Sequence, residues 1–133
     1  KYVEKYYIEE ANILKSYGLK VFFHSDGAMT ELIPWLVDTI GIDILNPIQW
    51  HLPGWDLRKV KEGFGSRICF HSGVDNQFVL PFGTPDDVEK EVRTIIECLY
   101  PDKRGLVLAP CHNLQAITPI ENIVRLYEVA KEY

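Results

Sequence analysis

Cysteine is scarce in this sequence. Cys69, Cys98 and Cys111 are odd in number and form no C-x-x-C pair, so a disulfide framework is not expected and a reducing, cytoplasmic setting is. Positive charge is also thin: 14 Lys and Arg stand against 19 Asp and Glu, for a net charge of −5, with no basic block or stripe. That balance excludes nucleic acid as an electrostatic partner. No apolar run approaches the roughly 18 residues of a membrane-spanning helix. No secretory signal is visible, yet the chain opens on Lys1 rather than Met and its first residues already read as helix, so the expectation is that a natural N-terminal part is missing. Linkers, low-complexity tracts and a convincing internal sequence repeat are lacking too. What remains is 47 % hydrophobic and 25 % charged over 133 residues, the balance of one globular domain with one core.

The apolar pattern alternates between two periods. Residues 2–17 read as a helix with Val3, Tyr7 and Leu14 along one face, and Gly18 follows where a C-terminal cap is wanted. Leu19–Phe23 is a short apolar run typical of a buried parallel strand, ending in His24-Ser25-Asp26-Gly27. A helix with Leu32, Ile33, Leu36, Val37 and Ile40 inward stops at Gly41. The strand Ile42–Leu45 then ends in Asn46-Pro47-Ile48-Gln49. Asp56 caps a short helix to about Glu62, and Arg67–Phe70 is the third strand. A long loop leads to Thr84-Pro85-Asp86-Asp87, a helix start with a capping hydroxyl, a first-turn proline and acids at the positive end of the dipole. Val88, Val92, Ile95, Ile96 and Leu99 form its stripe. Gly105–Ala109 is the fourth strand, and Thr118-Pro119-Ile120-Glu121 reads as a capping box before a helix lined by Ile123, Val124, Tyr127 and Ala130. The order α-β-α-β-α-β-α-β-α implies an α/β fold with a parallel sheet and right-handed crossovers, about four βα units or half of a (β/α)8 barrel.

In such folds sites gather at the C-terminal ends of the strands. Here each strand body is apolar and each end polar: His24 and Asp26, then Asn46 and Gln49, then Asp75 and Gln77, then Cys111, His112 and Asn113. Asn and Asp after strands also build turns and caps, an explanation that does not serve His24, Gln49, Gln77 and His112. His24 and Asp26 alternate on an extended segment, so both can reach one metal or one substrate; an orienting Asp–His pair is the other reading. Adjacent Cys111 and His112 diverge unless the backbone turns at Pro110. Cys69 and Cys98 read as packing. His51 reads as a lid or as an exposed loop histidine. Gly73 beside His71 admits close backbone approach to a ligand or serves a turn.

Taken as an ordered set, His24-Ser25-Asp26-Gly27, Asp43 to Gln49, Gly73-Val74-Asp75, Phe82-Gly83-Thr84-Pro85 and His112-Asn113-Leu114-Gln115 with Thr118 to Ile123 resemble the C-terminal half of the uroporphyrinogen decarboxylase family, which includes corrinoid-dependent methyltransferases such as the methylcobamide:coenzyme M enzymes. The resemblance runs from about Gly18 to the end. It implies a (β/α)8 barrel whose N-terminal half is not in this sequence, an enzymatic parent, and a piece that is inactive alone. For a decarboxylase it implies no cofactor, a tetrapyrrole gripped through its acidic side chains by basic residues of the other half, and a histidine at His112, although Cys111-His112-Asn113 stands where Gly-His-Gly is usual. For a methyltransferase it implies zinc or another divalent metal held by His24, by Asp26 in place of a cysteine, and by Cys111 or His112, with the corrinoid carried by a partner protein. The expected site is therefore His112 and Asp26 in chemistry, Asn46, Gln49, Asp75, Gln77 and Asn113 on the substrate, and His24, Asp26 and Cys111 on a metal.

Four βα units cannot close a barrel. Leu19–Phe23 and Leu106–Ala109 lack the inward Lys or Pro that blunts natural sheet edges. The expectation is completion by an N-terminal half or self-association.

Overall fold

The computed structural model describes residues 2–133. Its elements are α1 (Glu4–Ser16), β1 (Phe22–His24), α2 (Ile33–Trp35), β2 (Ile44–Asn46), α3 (Leu57–Phe64), β3 (Cys69–His71), α4 (Val79–Phe82), α5 (Pro85–Leu99), β4 (Leu106–Val107) and α6 (Ile120–Ala130). A tight turn at Thr30–Leu32 precedes α2, and a wide turn at Leu36–Ile40 continues it. There the Gly41 N–H reaches back five residues to the Leu36 carbonyl (2.8 Å), and Gly41 takes the left-handed φ of 74° that ends the coil.

The four strands are parallel and lie in sequence order, β1-β2-β3-β4. Sequential order with right-handed crossovers puts every connecting helix on one face, which is the winding of a barrel rather than of a two-sided sheet. Phe23, Leu45, Phe70 and Leu106 share one register row and pack against the helices; Leu45 and Phe70 are fully buried. Phe22, Ile44 and Cys69 form the next row on the opposite face, and His24, Asn46, His71 and Val107 the row beyond it. Each strand starts or ends later than its apolar run suggests. The ladder opens only after Val21, whose N–H goes to Asp43 Oδ2 (2.9 Å), while Lys20 Nζ takes Oδ1 (3.0 Å). As a result His24, Asn46 and His71 are the last residues of their strands, held by the ladder itself.

Helix α5 forms the centre of the core. Thr84 caps it by accepting the Asp87 N–H (3.3 Å) while Asp87 Oδ2 accepts the Thr84 N–H (2.8 Å), and Val88, Val92, Ile95, Ile96 and Leu99 are all buried. Each such side chain contributes about 1.5–3 kcal/mol of transfer free energy. Three other helices depart from their sequence pattern. Helix α1 buries Ala11, not Val3 or Leu14; Ile8 packs against the core, and the Tyr7 ring meets Phe23 of β1 and Trp35 of α2 edge-on. Leu32 faces outward because the tight turn before α2 rotates it away from Ile33 and Leu36. Helix α6 begins at Ile120 with no side-chain cap, and it buries Asn122, Leu126 and Val129 instead of the Val124–Tyr127 face. Its rotation is set by Asn122 Nδ2, which donates to the Leu80 (2.9 Å) and Gly83 (2.8 Å) carbonyls at the end of α4.

Candidate functional site

One buried amide organises the strand ends. Asn46 Oδ1 lies 2.5 Å from His24 Nδ1, and Asn46 Nδ2 lies 2.9 Å from His71 Nδ1 and donates to Ser72 Oγ (3.2 Å) and the His71 carbonyl (3.3 Å). An amide oxygen only accepts and an amide nitrogen only donates. With Asn46 set this way, neutral His24 carries its proton on Nδ1 and leaves Nε2 bare, and His71 Nδ1 is the bare nitrogen of that ring. Burial pushes His71 below the ordinary imidazole value, which keeps it neutral, and its ring meets Phe22 edge-on at 5.1 Å. Ser72 reaches Asn46 from a left-handed backbone, φ 74°, an unfavourable conformation for a non-glycine residue and here a buried one.

His24 Nε2 points toward Asp26, 3.7 Å from Oδ2, and its ring stands 6.3 Å from that of His112. His24, Asp26 and His112 therefore share one end of the sheet. Asp26 and His112 border a cleft of about 850 Å³, and His24 stands beside it, behind Asp26. Its polar wall is Asp26, Gln49, Asn76, Gln77, His112 and Gln115. Its apolar wall includes Phe78, Phe82 and Ile117, exposed by 69 %, 67 % and 62 %. Gln49 Oε1 accepts the Gly27 N–H (2.6 Å), which ties the loop after β2 to the loop after β1. No Lys or Arg lines this cleft among the described residues.

Several expected site residues lie elsewhere. Asp75 is buried and spends its carboxylate on the N–H groups of Gln77 (2.9 Å), Phe78 (3.0 Å) and Val79 (3.1 Å), so it shapes the loop into α4. Asn46 is 7 % exposed and acts through the two histidines. Asn113 does not line the cleft; its carbonyl accepts from Gln115 Nε2 (3.3 Å). Cys111 is buried, its Sγ directed at the Ile48 carbonyl (3.6 Å), in a side cavity of about 120 Å³ shared with Asp75 and His51. Burial, with the charges of Asp75 and Glu91, pushes its thiol up to about 12, so it stays protonated.

The metal set of His24, Asp26 and Cys111 is not assembled. The 3.7 Å between His24 Nε2 and Asp26 Oδ2 is near the ~3.4 Å that two ligands of a tetrahedral zinc subtend. Among the described residues, however, no three His, Cys, Asp or Glu side chains converge for an ion, and Cys111 offers a buried thiol rather than a thiolate. Among the described residues, His24 and Asp26 stand as a pair of donors without a third beside them.

Sequence patterning missed Asn76, Phe78 and Phe82, because the long loop after β3 carries no periodicity and folds its short helix α4 against Asn122, and it missed Ile117 in the irregular segment between β4 and α6. It also missed Glu91, which sits in the apolar stripe of α5 at 6 % exposure. Glu91 Oε1 accepts the Asp75 N–H (2.6 Å) and Oε2 lies 3.2 Å from His51 Nε2. Burial pushes its carboxyl up, against the pull of the Asp75 N–H and His51. A charge at a helix position otherwise reserved for Val and Ile was the available signal.

The fold matches a methyltransferase from Methanosarcina mazei with a TM-score of 0.75 at 23 % identity, over 98 % of this chain and 35 % of that one. This chain thus spans about a third of that neighbour's length. No helix is long and apolar enough to cross a membrane among the described residues. No curated protein sequence matches the chain. The family model for uroporphyrinogen decarboxylase (URO-D) matches residues 1–133, and the chain belongs to that family.

Proposed function

We propose that this chain forms the amide-rich wall of a methyl-transfer site in a corrinoid-linked member of the URO-D family. The observation that carries this reading is the polar lining of the cleft: four side-chain amides, a carboxylate and a histidine, with no Lys or Arg among the described residues. The acidic arms of uroporphyrinogen call for Lys or Arg. The amide-bearing rim of a corrin calls for donors and acceptors such as Gln49, Asn76, Gln77 and Gln115. The corrinoid, carried by a partner protein, supplies the methyl group.

His24, which reaches the cleft where its Nε2 faces the lining residue Asp26, serves as the base. Its bare Nε2 takes the proton from the methyl acceptor, and Asp26, 3.7 Å away, steadies the imidazolium that results. Asn46 holds the ring in that tautomer. Phe78, Phe82 and Ile117 offer an apolar surface to the ligand on one side of the cleft. No step is assigned to a metal.

The test is binding and turnover by the intact protein. Absorbance titration with hydroxocobalamin is expected to saturate, and uroporphyrin is not expected to compete. Decarboxylation of uroporphyrinogen, with His112 as proton donor and cations from outside this chain, is the opposing reading. Release of CO2 from uroporphyrinogen with no corrinoid binding overturns the proposal.

A further inference from the structure

The side cavity beside Cys111 adjoins the cleft and has no part in the chemistry described above. Gln49, Leu52, Gln77 and Phe78 line both spaces, so the two meet at these residues. His51, Asp75 and Cys111 line the cavity alone and form its inner end. Its 120 Å³ is the room of about four water molecules, or of a chain of about four heavy atoms. The polar groups around it are spent elsewhere. Asp75 Oδ1 accepts the Gln77 N–H, and Oδ2 accepts those of Phe78 and Val79. The Cys111 thiol donates to the Ile48 carbonyl, and His51 turns Nε2 to Glu91 Oε2 (3.2 Å). Gln49 Oε1 is taken by the Gly27 N–H. Water inside finds few partners there, and an apolar group displaces it at a gain.

Gln49 stands between the cavity and the proposed base. The Gly27 N–H that it holds at 2.6 Å is next in sequence to Asp26, and Asp26 lies 3.7 Å from His24 Nε2. We propose that the cavity is a subsite for a short, uncharged alkyl arm of the methyl acceptor. The reacting end lies on the Asp26 side of Gln49, and the arm extends past Gln49 toward Cys111. The assignment rests on the reading of the cleft as a methyl-transfer site with His24 as its base.

The surrounding charges select the arm. Asp75 lines the cavity, and Glu91 lies close enough that both carboxylates, after burial itself, push the Cys111 thiol up. An anionic arm meets that field with no Lys or Arg in the lining among the described residues. An ammonium arm is attracted, but it must shed its water, and the acceptors that would replace that water are already taken. An alkyl arm needs no such partner. It gains from the transfer of each methylene out of water and from contact with Leu52 and the Phe78 ring.

The test uses the intact protein with methyl-labelled leucine and follows the Leu52 methyl resonances. Ethanol, 1-propanol and 1-butanol are expected to bind with an affinity that rises about fourfold per methylene. 1-Hexanol, too long for the cavity, is expected to gain nothing further. Butyrate and butylammonium are expected to bind more weakly than 1-butanol. Cys111→Leu fills the inner end and is expected to flatten the series. Equal affinities across the wild-type series, tighter binding of butylammonium, or an unchanged series in Cys111→Leu overturns the proposal. Should Cys111→Leu fail to fold, the wild-type series decides. Methyl transfer from methylcobalamin to ethanethiol, 1-propanethiol and 1-butanethiol separates the subsite from the reaction. The same rise in kcat/KM along the thiols supports both. No transfer beside an intact alcohol series overturns the methyl-transfer reading and leaves the subsite standing. Transfer at one kcat/KM for all three thiols overturns the subsite alone.

Discussion

Asn46 Oδ1 stands 2.5 Å from His24 Nδ1, and through that contact a buried amide selects which nitrogen of an exposed histidine is free. The same amide spends its Nδ2 on His71 and Ser72, so its orientation is fixed from both sides. Asn46→Leu keeps the volume and removes every one of these bonds. It is expected to cost about 1–3 kcal/mol in denaturant unfolding. In the intact protein it is also expected to lower turnover by about tenfold or more, since His24 then samples both tautomers. Asn46→Gln separates the two effects, because it restores polarity without the geometry. Wild-type turnover in Asn46→Leu removes the tautomer argument.

His24 and Asp26 have side chains 47 % and 57 % exposed. Their replacement leaves the core untouched, so chemistry and folding are separable here. His24→Ala is expected to reduce turnover of the intact protein by about 10²–10⁴-fold with unchanged circular dichroism, and Asp26→Asn by a smaller factor. A pH–rate profile that keeps the same limb in His24→Ala assigns the base elsewhere.

The parallel sheet, the strand-end placement of His24, Asp26 and His112, and the stripe of α5 were all legible in the sequence, because period and polarity change sharply at those points. The rotation of α6 and the isolation of α1 were not. Val124, Tyr127, Val3 and Leu14 are apolar and correctly spaced, yet tertiary hydrogen bonds from Asn122 turn α6, and α1 buries Ala11 with only Ile8 and Tyr7 packed beside it. Cys111 and Asp75 share the same lesson. Their residue type suits a site, but only coordinates reveal that one sulfur faces the Ile48 carbonyl and one carboxylate is saturated by three backbone N–H groups.

Cys111 is buried, and its thiol is pushed up to about 12. Cys69 and Cys98 are only partly buried, and burial raises Cys69 as well. Iodoacetamide at pH 8 is therefore expected to label Cys111 last, and at full rate only in denaturant. Mass spectrometry of the alkylated peptides reads this directly. Rapid native labelling of Cys111 contradicts the burial of its sulfur and reopens its role as a ligand.

Asp43 joins the starts of β1 and β2. Burial pushes its carboxyl up, but the Val21 N–H and Lys20 outweigh that and hold it below the ordinary value. A depressed acid contributes stability above its unfolded value, about 3.9, and loses it as pH falls through the lower folded value. Urea unfolding of the wild type is expected to weaken across that acid window, and Asp43→Asn to show a shallower decline from a lower starting stability. Parallel curves for the two proteins show that Asp43 carries none of the acid sensitivity.

The face of the sheet opposite the helices leads to the last prediction. Phe22 and Val107 point from it, 48 % and 46 % exposed, and β1 and β4 are its edges among the described residues. The chain exposes 7950 Å². A compact monomer of 15.4 kDa is expected to expose about 7,200 Å². The excess is partly apolar, and it adjoins backbone groups of β1 and β4 that no neighbouring strand pairs. Cover by a further set of βα units or by a second copy is the expected outcome, because unpaired edges beside apolar surface associate. The isolated 133-residue chain is therefore expected to sediment as a dimer or larger species at micromolar concentration. Phe22→Lys with Val107→Lys, which places charge on the uncovered face without touching the helix side, is expected to shift it toward monomer. A soluble, well-folded monomer of the unmodified chain at high concentration shows that the open face is tolerated in water, and the edge argument then fails.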